Sequence, residues 1–180
     1  IETGEAYGCD FVLKYDLKDI NLYFVYSIGK VTRWDGIQEY APVFDRRHNV
    51  NFVGSYEFGK SRLWEFNARW NMGSGFPFTQ TLGFYEKYDF ANGTGTDLVT
   101  SNGNVGIIYD KLNGGRLPYY HRMDLTLKRE FVLSVNSILD VNIGVTNAYN
   151  RENIFYFDRV NYDRVNQLPF MPSAGMSLSF

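Results

Sequence analysis

Apolar and polar residues alternate with a period of two in seven separate stretches of the chain. That is the pattern of strands with one apolar and one polar face. The stretch at about 5–17 puts Tyr7, Cys9, Phe11, Leu13 and Tyr15 on one side and Gly8, Asp10, Val12 and Lys14 on the other. At about 20–29, Leu22, Phe24, Tyr26 and Ile28 share a side. At about 47–58, Val50, Phe52, Gly54, Tyr56 and Phe58 oppose Asn49, Asn51, Val53, Ser55 and Glu57. At about 62–72, Trp64, Phe66, Ala68, Trp70 and Met72 oppose Glu65, Asn67, Arg69 and Asn71. Further strands are predicted at about 120–131, 138–149 and 172–180, and the last alternates strictly through Met176-Ser177-Leu178-Ser179 to Phe180.

The connections alternate in length: short turns follow the first, third and fifth strands, and long loops cover 30–46, 73–119 and 150–171. Antiparallel strands send alternate connections to opposite ends of a sheet, so all short turns fall at one end and all long loops at the other. Short periplasmic turns and long extracellular loops mark outer-membrane barrels. The expected fold is therefore all-β, an antiparallel transmembrane β-barrel. Tyr15, Phe58, Trp64, Phe131 and Phe180 fall near the periplasmic strand ends, and Trp70, Tyr120 and Tyr149 near the extracellular ends. These form two aromatic girdles, where amphipathic rings are favoured. The opposite faces carry Asp10, Lys14, Glu65, Arg69, Asp124, Lys128 and Glu130, which suit a wet lumen. On the lipid face a Lys or Arg would cost about 2–4 kcal/mol at mid-bilayer. Arg129 points outward by strict alternation, near the periplasmic end where it can snorkel. Seven strands cannot close such a barrel, because open edges are forbidden in lipid. The chain starts at Ile1 rather than Met and reads as the C-terminal part of a larger barrel.

Composition adds limits. Net charge is −2 with acids and bases interspersed, so no nucleic-acid partner is expected. Mean hydropathy is −0.30, and no apolar run reaches the ~18 residues of a membrane helix. Cys9 is the single cysteine, so no intrachain disulfide or cysteine metal site is expected, and it reads as an apolar filler on a strand. A soluble β-sandwich or lipocalin-like binder is the competing class. The loop-length asymmetry and the double girdle argue against it.

Four motifs sit at strand ends: Phe44-Asp45-Arg46-Arg47-His48, Arg116-Leu117-Pro118-Tyr119-Tyr120-His121-Arg122-Met123-Asp124, Asn147-Ala148-Tyr149-Asn150-Arg151-Glu152-Asn153 and Leu168-Pro169-Phe170-Met171-Pro172-Ser173. In their order and spacing they resemble the C-terminal end of TonB-dependent outer-membrane receptors of the Bacteroidota type, along about residues 4–180. The resemblance implies a barrel of about 22 strands with a plug domain that is not in this chain, and active uptake of a nutrient such as a siderophore, vitamin, oligosaccharide or peptide. It implies as partners the rest of the barrel and the plug, the TonB complex, outer-membrane lipid and lipopolysaccharide. The barrel-assembly machinery is implied during biogenesis, and the resemblance also admits a surface lipoprotein. Met176, Leu178 and Phe180 resemble the terminal signal read by that machinery, since an apolar edge strand is a template for β-augmentation. A porin or a scaffold subunit of an envelope complex is the alternative role.

No catalytic residue, cofactor or metal is expected. His48 and His121 each lie near an Asp and an Arg at a strand opening, but no Ser stands in a nucleophile context. Rim hydrogen bonding or ion pairing is their expected role. Asn92-Gly93-Thr94-Gly95 lacks the Lys of a phosphate loop and reads as a loop tip. Among the loop aromatics Trp34, Tyr40, Phe76, Phe78, Phe84, Tyr85, Tyr88, Phe155, Tyr156 and Phe157, the candidate ligand contacts are Trp34, Tyr40, Phe78, Tyr85 and Tyr156, joined by Arg116. The competing reading is loop-on-loop packing. Arg33, Arg116, Arg151, Arg159 and Arg164 suit an anionic ligand or lipopolysaccharide phosphate, with pairing to loop acids the expected outcome.

Overall fold

The computed structural model describes residues 2–87, 104–158, 161 and 163–180. Among these the chain is all-β and antiparallel, with no α-helix and one 3₁₀ turn at Lys60–Arg62. In chain order the strands are β1 (Thr3–Leu17), β2 (Ile20–Trp34), β3 (Glu39–Tyr40), β4 (His48–Phe58), β5 (Trp64–Gly73), β6 (Pro77–Phe78), β7 (Thr81–Lys87), β8 (Asn104–Tyr109), β9 (Gly115–Arg116), β10 (Tyr120–Ser134), β11 (Ser137–Thr146), β12 (Ile154–Asp158), β13 (Asp163–Asn166) and β14 (Met171–Ser179). The main sheet runs β1-β2-β4-β5-β10-β11-β14, with β3 added beside β2. It does not close among the described residues: β1 and β14 are its edges.

Several boundaries differ from expectation. β2 continues to Trp34, so the loop begins at Asp35 and not at Lys30. β10 runs on to Ser134, and β11 stops at Thr146, three residues short of Tyr149, because Asn147 takes a positive φ of 55°. The two longest loops are not structureless. They fold into the hairpins β7–β8 and β12–β13 and the short pair β6–β9.

The register decides the faces. Leu13 pairs with Phe24, Phe24 with Phe52, Phe52 with Trp70 and Trp70 with Met123. Further along, Phe66 pairs with Leu127, Leu127 with Ile143 and Ile143 with Ala174. Directly opposed residues share a face, so one apolar face runs unbroken from β1 to β14. The intervening rows carry Asn21–Ser55–Asn67–Thr126–Gly144–Ser173 and Glu57–Glu65–Lys128–Asn142–Gly175. Arg122–Asp124 at 2.9 Å and Lys128–Glu130 at 3.2 Å pair along that polar face. Cys9 sits opposite Ile28 on the apolar face.

Among the described residues, no second layer covers the apolar face. Val50 is the one buried hydrophobic side chain among the described residues, whereas Phe11 (60%), Ile143 (56%) and Met176 (75%) are exposed. The rows are also staggered. The row starting at Leu17, beside the first short turn, reaches the last strand at Ala174, six residues before Phe180. That is six residues over six strand-to-strand steps. If the short turns and Phe180 share one height, a rise of ~3.3 Å per residue against ~4.8 Å between strands gives a tilt of about 35°.

The turn end carries stacked rings: Tyr56 on Phe58 at 5.6 Å and Phe58 on Trp64 at 6.0 Å. Arg129, the charge on the apolar face, is not left to snorkel alone. Its guanidinium lies 4.6 Å from the Trp64 ring centroid and 4.4 Å from that of Phe131. Two ring faces disperse the charge while the side-chain stem covers apolar surface. Arg129→Ala in the full-length protein should therefore lower unfolding stability by about 1–2 kcal/mol, and Arg129→Gln by a similar amount, measured by urea titration in detergent micelles. No loss would show that the stacking is decorative.

Candidate functional site

At the loop end of the sheet the packing is polar. The polar and charged side chains buried there, among the described residues, are Asp45 (2% exposed), Ser74 (5%), Asn147 (0%) and Asn153 (4%). Each caps backbone that the ladder leaves unpaired, which is what buried polar groups must do. Asn147 ends β11 in a left-handed turn that Asn tolerates well. Its Nδ2 donates to Arg151 O (2.9 Å) and Leu168 O (3.0 Å), and its Oδ1 accepts from Arg151 N (3.0 Å). Asn153 borrows the backbone of β10: its Oδ1 accepts from His121 N (3.1 Å) and its Nδ2 donates to His121 O (2.9 Å). Ser74 Oγ accepts from His48 N at 3.0 Å.

Asp45 and Arg116 tie three segments together. Asp45 Oδ1 accepts from Val31 N on β2 at 3.0 Å, and Oδ2 pairs with Arg116 Nη2. Arg116 Nη1 reaches Asp45 O and Gly75 O, both at 3.2 Å. Gly75 has no alternative here, since a Cβ would lie 1.5 Å from Leu117 O. Nearby, Asn113 Nδ2 donates to Ala41 O at 2.8 Å, and Asn113 N to Thr79 Oγ1 at 3.0 Å.

Arg46, next in the chain, turns the other way. It lies over Gly73, where a Cβ would meet its guanidinium carbon at 2.5 Å. Its guanidinium sits 4.2 Å from the Phe76 ring centroid and 5.6 Å from that of Tyr120. Burial pulls its pKa below the ordinary arginine value, and the nearby Tyr120 opposes that shift. Tyr120 therefore departs from its expected place in the outer girdle. It pairs with Gly73, whose other partner is Asn49, so it has the parity of the polar face. Trp70 and Tyr149 do come together: Trp70 Nε1 donates to Tyr149 OH at 3.2 Å, and that hydroxyl meets His121 Nδ1 at 2.7 Å. The two histidines bond tyrosines rather than acids, His48 meeting Tyr26 OH at 2.9 Å.

Two of the cavities at this end are lined by the candidate site residues. One, of about 460 Å³, is lined by Arg46, Tyr120, His121, Arg151, Glu152 and Arg164. The other, of about 600 Å³, is aromatic and takes in Val43, Phe76, Phe78, Tyr156 and Phe157. Of the six expected ligand contacts, Phe78 and Tyr156 share that aromatic groove. Phe78 lies 6.0 Å from Phe157, and Tyr156 meets Phe155 edge-on at 5.6 Å. The others do not join them. Trp34 ends β2 opposite Glu39, and Tyr40 bonds Glu2 Oε1 at 3.3 Å. Tyr85 covers Gly106 on the β7–β8 hairpin. Arg116 is held by Asp45 in the lock described above. Arg164 pairs with Glu152 and Arg33 faces the Phe44 ring. Tyr88, Arg159 and Asn92-Gly93-Thr94-Gly95 lie outside the described residues. Phe180 is 96% exposed, beyond the end of β14.

Sequence reasoning gave no role to Asp45, Arg46, Asn147 or Asn153. The available signal was local: two opposite charges side by side before a strand, and asparagines spaced by three after one. No family model, curated protein or solved structure matches the chain.

Two variants test the lock. Asn147→Ala loses three hydrogen bonds at a fully buried site and should cost about 2–4 kcal/mol in unfolding experiments. Asn147→Gly should cost nearly as much, because it keeps the turn and not the bonds. Asp45→Asn should cost about 2–3 kcal/mol, below the range for a fully buried pair because Arg116 is partly exposed. The swap Asp45→Arg with Arg116→Asp should fail to restore stability, since Val31 N would still lack its acceptor; full recovery would reduce the lock to a simple ion pair.

Proposed function

We propose that this chain forms part of the wall of a bacterial outer-membrane β-barrel, and that the barrel is a nutrient receptor of the TonB-dependent type. The observation that carries the first step is the register. It gathers the apolar residues of all the long strands onto one face, and nothing among the described residues covers that face. Hydrocarbon is a solvent in which such a face is stable, provided every backbone group is paired. The tilt of about 35° lies at the lower edge of the range for such barrels. Short connections gather at one sheet end and long, folded ones at the other, as outer-membrane topology requires. The edges β1 and β14 then pair with further strands of the same barrel. The receptor step rests on the four strand-end motifs, and on long loops that fold into hairpins and line cavities. A porin or scaffold role is the alternative, and energy dependence separates them. Receptor uptake stops when a protonophore collapses the inner-membrane gradient, whereas porin flux continues.

Topology is tested on the full-length protein with Cys9 replaced. Cysteines placed at Gly114 and Asn161 should react with an impermeant thiol reagent on intact cells. Cysteines at Asp19, Lys60 and Asn136 should stay silent until the outer membrane is opened. Ile143→Lys, at mid-height on the apolar face, should cost about 2–4 kcal/mol of stability in lipid, and Thr126→Lys on the opposite face under about 1 kcal/mol. Equal costs, or labelling at every position on intact cells, would sink the membrane reading.

A further inference from the structure

The smaller loop-end cavity holds more positive charge than its own side chains neutralise. Three guanidiniums line it, Arg46, Arg151 and Arg164, against one carboxylate, Glu152, which already pairs with Arg164. Arg46 makes no hydrogen bond or ion pair among the described residues. Its partners are the Phe76 and Tyr120 rings. The Nε atoms of both Arg46 and Arg151 are buried without an acceptor. Arg151 spends one terminal nitrogen on Tyr119 O at 3.1 Å, a neutral partner. A half-buried cation without a counter-ion is costly to hold. Proteins rarely keep one unless something supplies the missing charge.

The geometry limits what that something is. Rings that cover a guanidinium face leave its N–H donors pointing out in the plane, where an oxyanion is bound by parallel hydrogen bonds. The uncompensated charge is two. A phosphate monoester carries about −1.5 to −2 at neutral pH and presents three acceptor oxygens, so it matches both the charge and the donors. A single carboxylate would leave one cation unpaired. We propose that this cavity binds a phosphate monoester, with Arg46 and Arg151 as the direct donors and Arg164 as the adjacent charge. The inference rests on the outer-membrane reading only for the source of the phosphate, which is either a lipopolysaccharide head group or a soluble phosphorylated ligand.

The test uses the full-length protein in detergent micelles, stripped of lipopolysaccharide and titrated with inorganic phosphate by ³¹P line broadening and calorimetry. Wild type should bind phosphate. Arg46→Gln and Arg151→Gln should each weaken binding at least tenfold, while Arg46→Lys, which keeps charge and loses the planar fork, should retain part of it. Arg47→Gln, exposed and outside the cavity, should bind as wild type does. Circular dichroism and urea midpoints identify which variants are folded, and Arg151→Lys serves if Arg151→Gln is not. No binding by wild type, or equal binding by folded Arg46→Gln, overturns the site. Binding of phosphorylated but not dephosphorylated lipid A by wild type assigns a lipid source. Binding of inorganic phosphate with no binding of phosphorylated lipid A assigns a soluble one. Phosphate binding by a protein that fails the surface-labelling test would leave the site standing and remove the membrane reading. Correct labelling without phosphate binding would do the reverse.

Discussion

Everything in this chain hangs on the register of one backbone ladder. With a single buried hydrophobic side chain among the described residues, the sheet is not held by a core in the usual sense. It is held by strand pairing and by whatever covers its apolar face. Side chains alternate with a period of two, so a slip of one residue at any junction would throw the apolar residues of every later strand onto the polar side. The junctions are pinned at both ends. At the turn end, Glu57 N bonds Asp19 O at 2.8 Å and Glu130 N bonds Leu63 O at 2.9 Å. At the loop end, Gly29 N bonds Arg47 O at 3.0 Å, Ser74 N bonds His48 O at 2.8 Å and Ala148 N bonds Met123 O at 2.7 Å. These bonds continue the ladder past the regular strands and leave the register little freedom.

Two adjacent residues show how the loop end is organised. Asp45 and Arg46 precede β4 and face different surroundings. Asp45 goes inward to an arginine 71 positions away, and the two charges cancel inside the loops. Arg46 goes over Gly73, where the missing Cβ leaves it room, and finds aromatic faces in place of an acid. One cation is neutralised within the chain and its neighbour is not. Helical or sheet geometry does not demand that difference. It makes sense if the second charge serves a ligand.

What could be read from the sequence was what local periodicity controls. The faces of the long strands follow from alternation alone, as do the short turns between them. Lys30–Trp34 escaped because its charged residues imitate a loop, although Lys30, Thr32 and Trp34 alternate with Val31 and Arg33 along β2. The loop hairpins escaped because their strands are short, five and four residues in β12 and β13, and because Gly83 and Gly106 interrupt β7 and β8. Tyr120 was assigned by its height and not by its parity, although alternation with Asp124 and Thr126 already puts it on the polar face, as its pairing with Gly73 bears out. The Asp45–Arg116 lock was beyond sequence reasoning for another reason: its partners are distant in the chain, and nothing local distinguishes a paired arginine from a solvated one.

Strand length links the lock to the proposed bilayer. β1 and β2 have 15 residues each and β14 has nine. At ~3.3 Å per residue and a tilt of about 35°, β14 rises about 25 Å, whereas β1 and β2 rise about 40 Å. The apolar band of an outer-membrane barrel is about 25 Å tall, so β14 just crosses it and β1 and β2 overshoot it by about six residues. With the turn ends set level, the overshoot lies at the loop end, where β1 carries Glu5 and β2 carries Lys30, Thr32 and Arg33. The Asp45 carboxylate bonds β2 in this overshoot, at Val31. In the proposed bilayer the lock and the arginine cavity beside it would sit above the hydrocarbon, in the zone of head groups and water. A cluster of guanidiniums is tolerable there as it would not be a few residues lower, and phosphate is abundant at that depth.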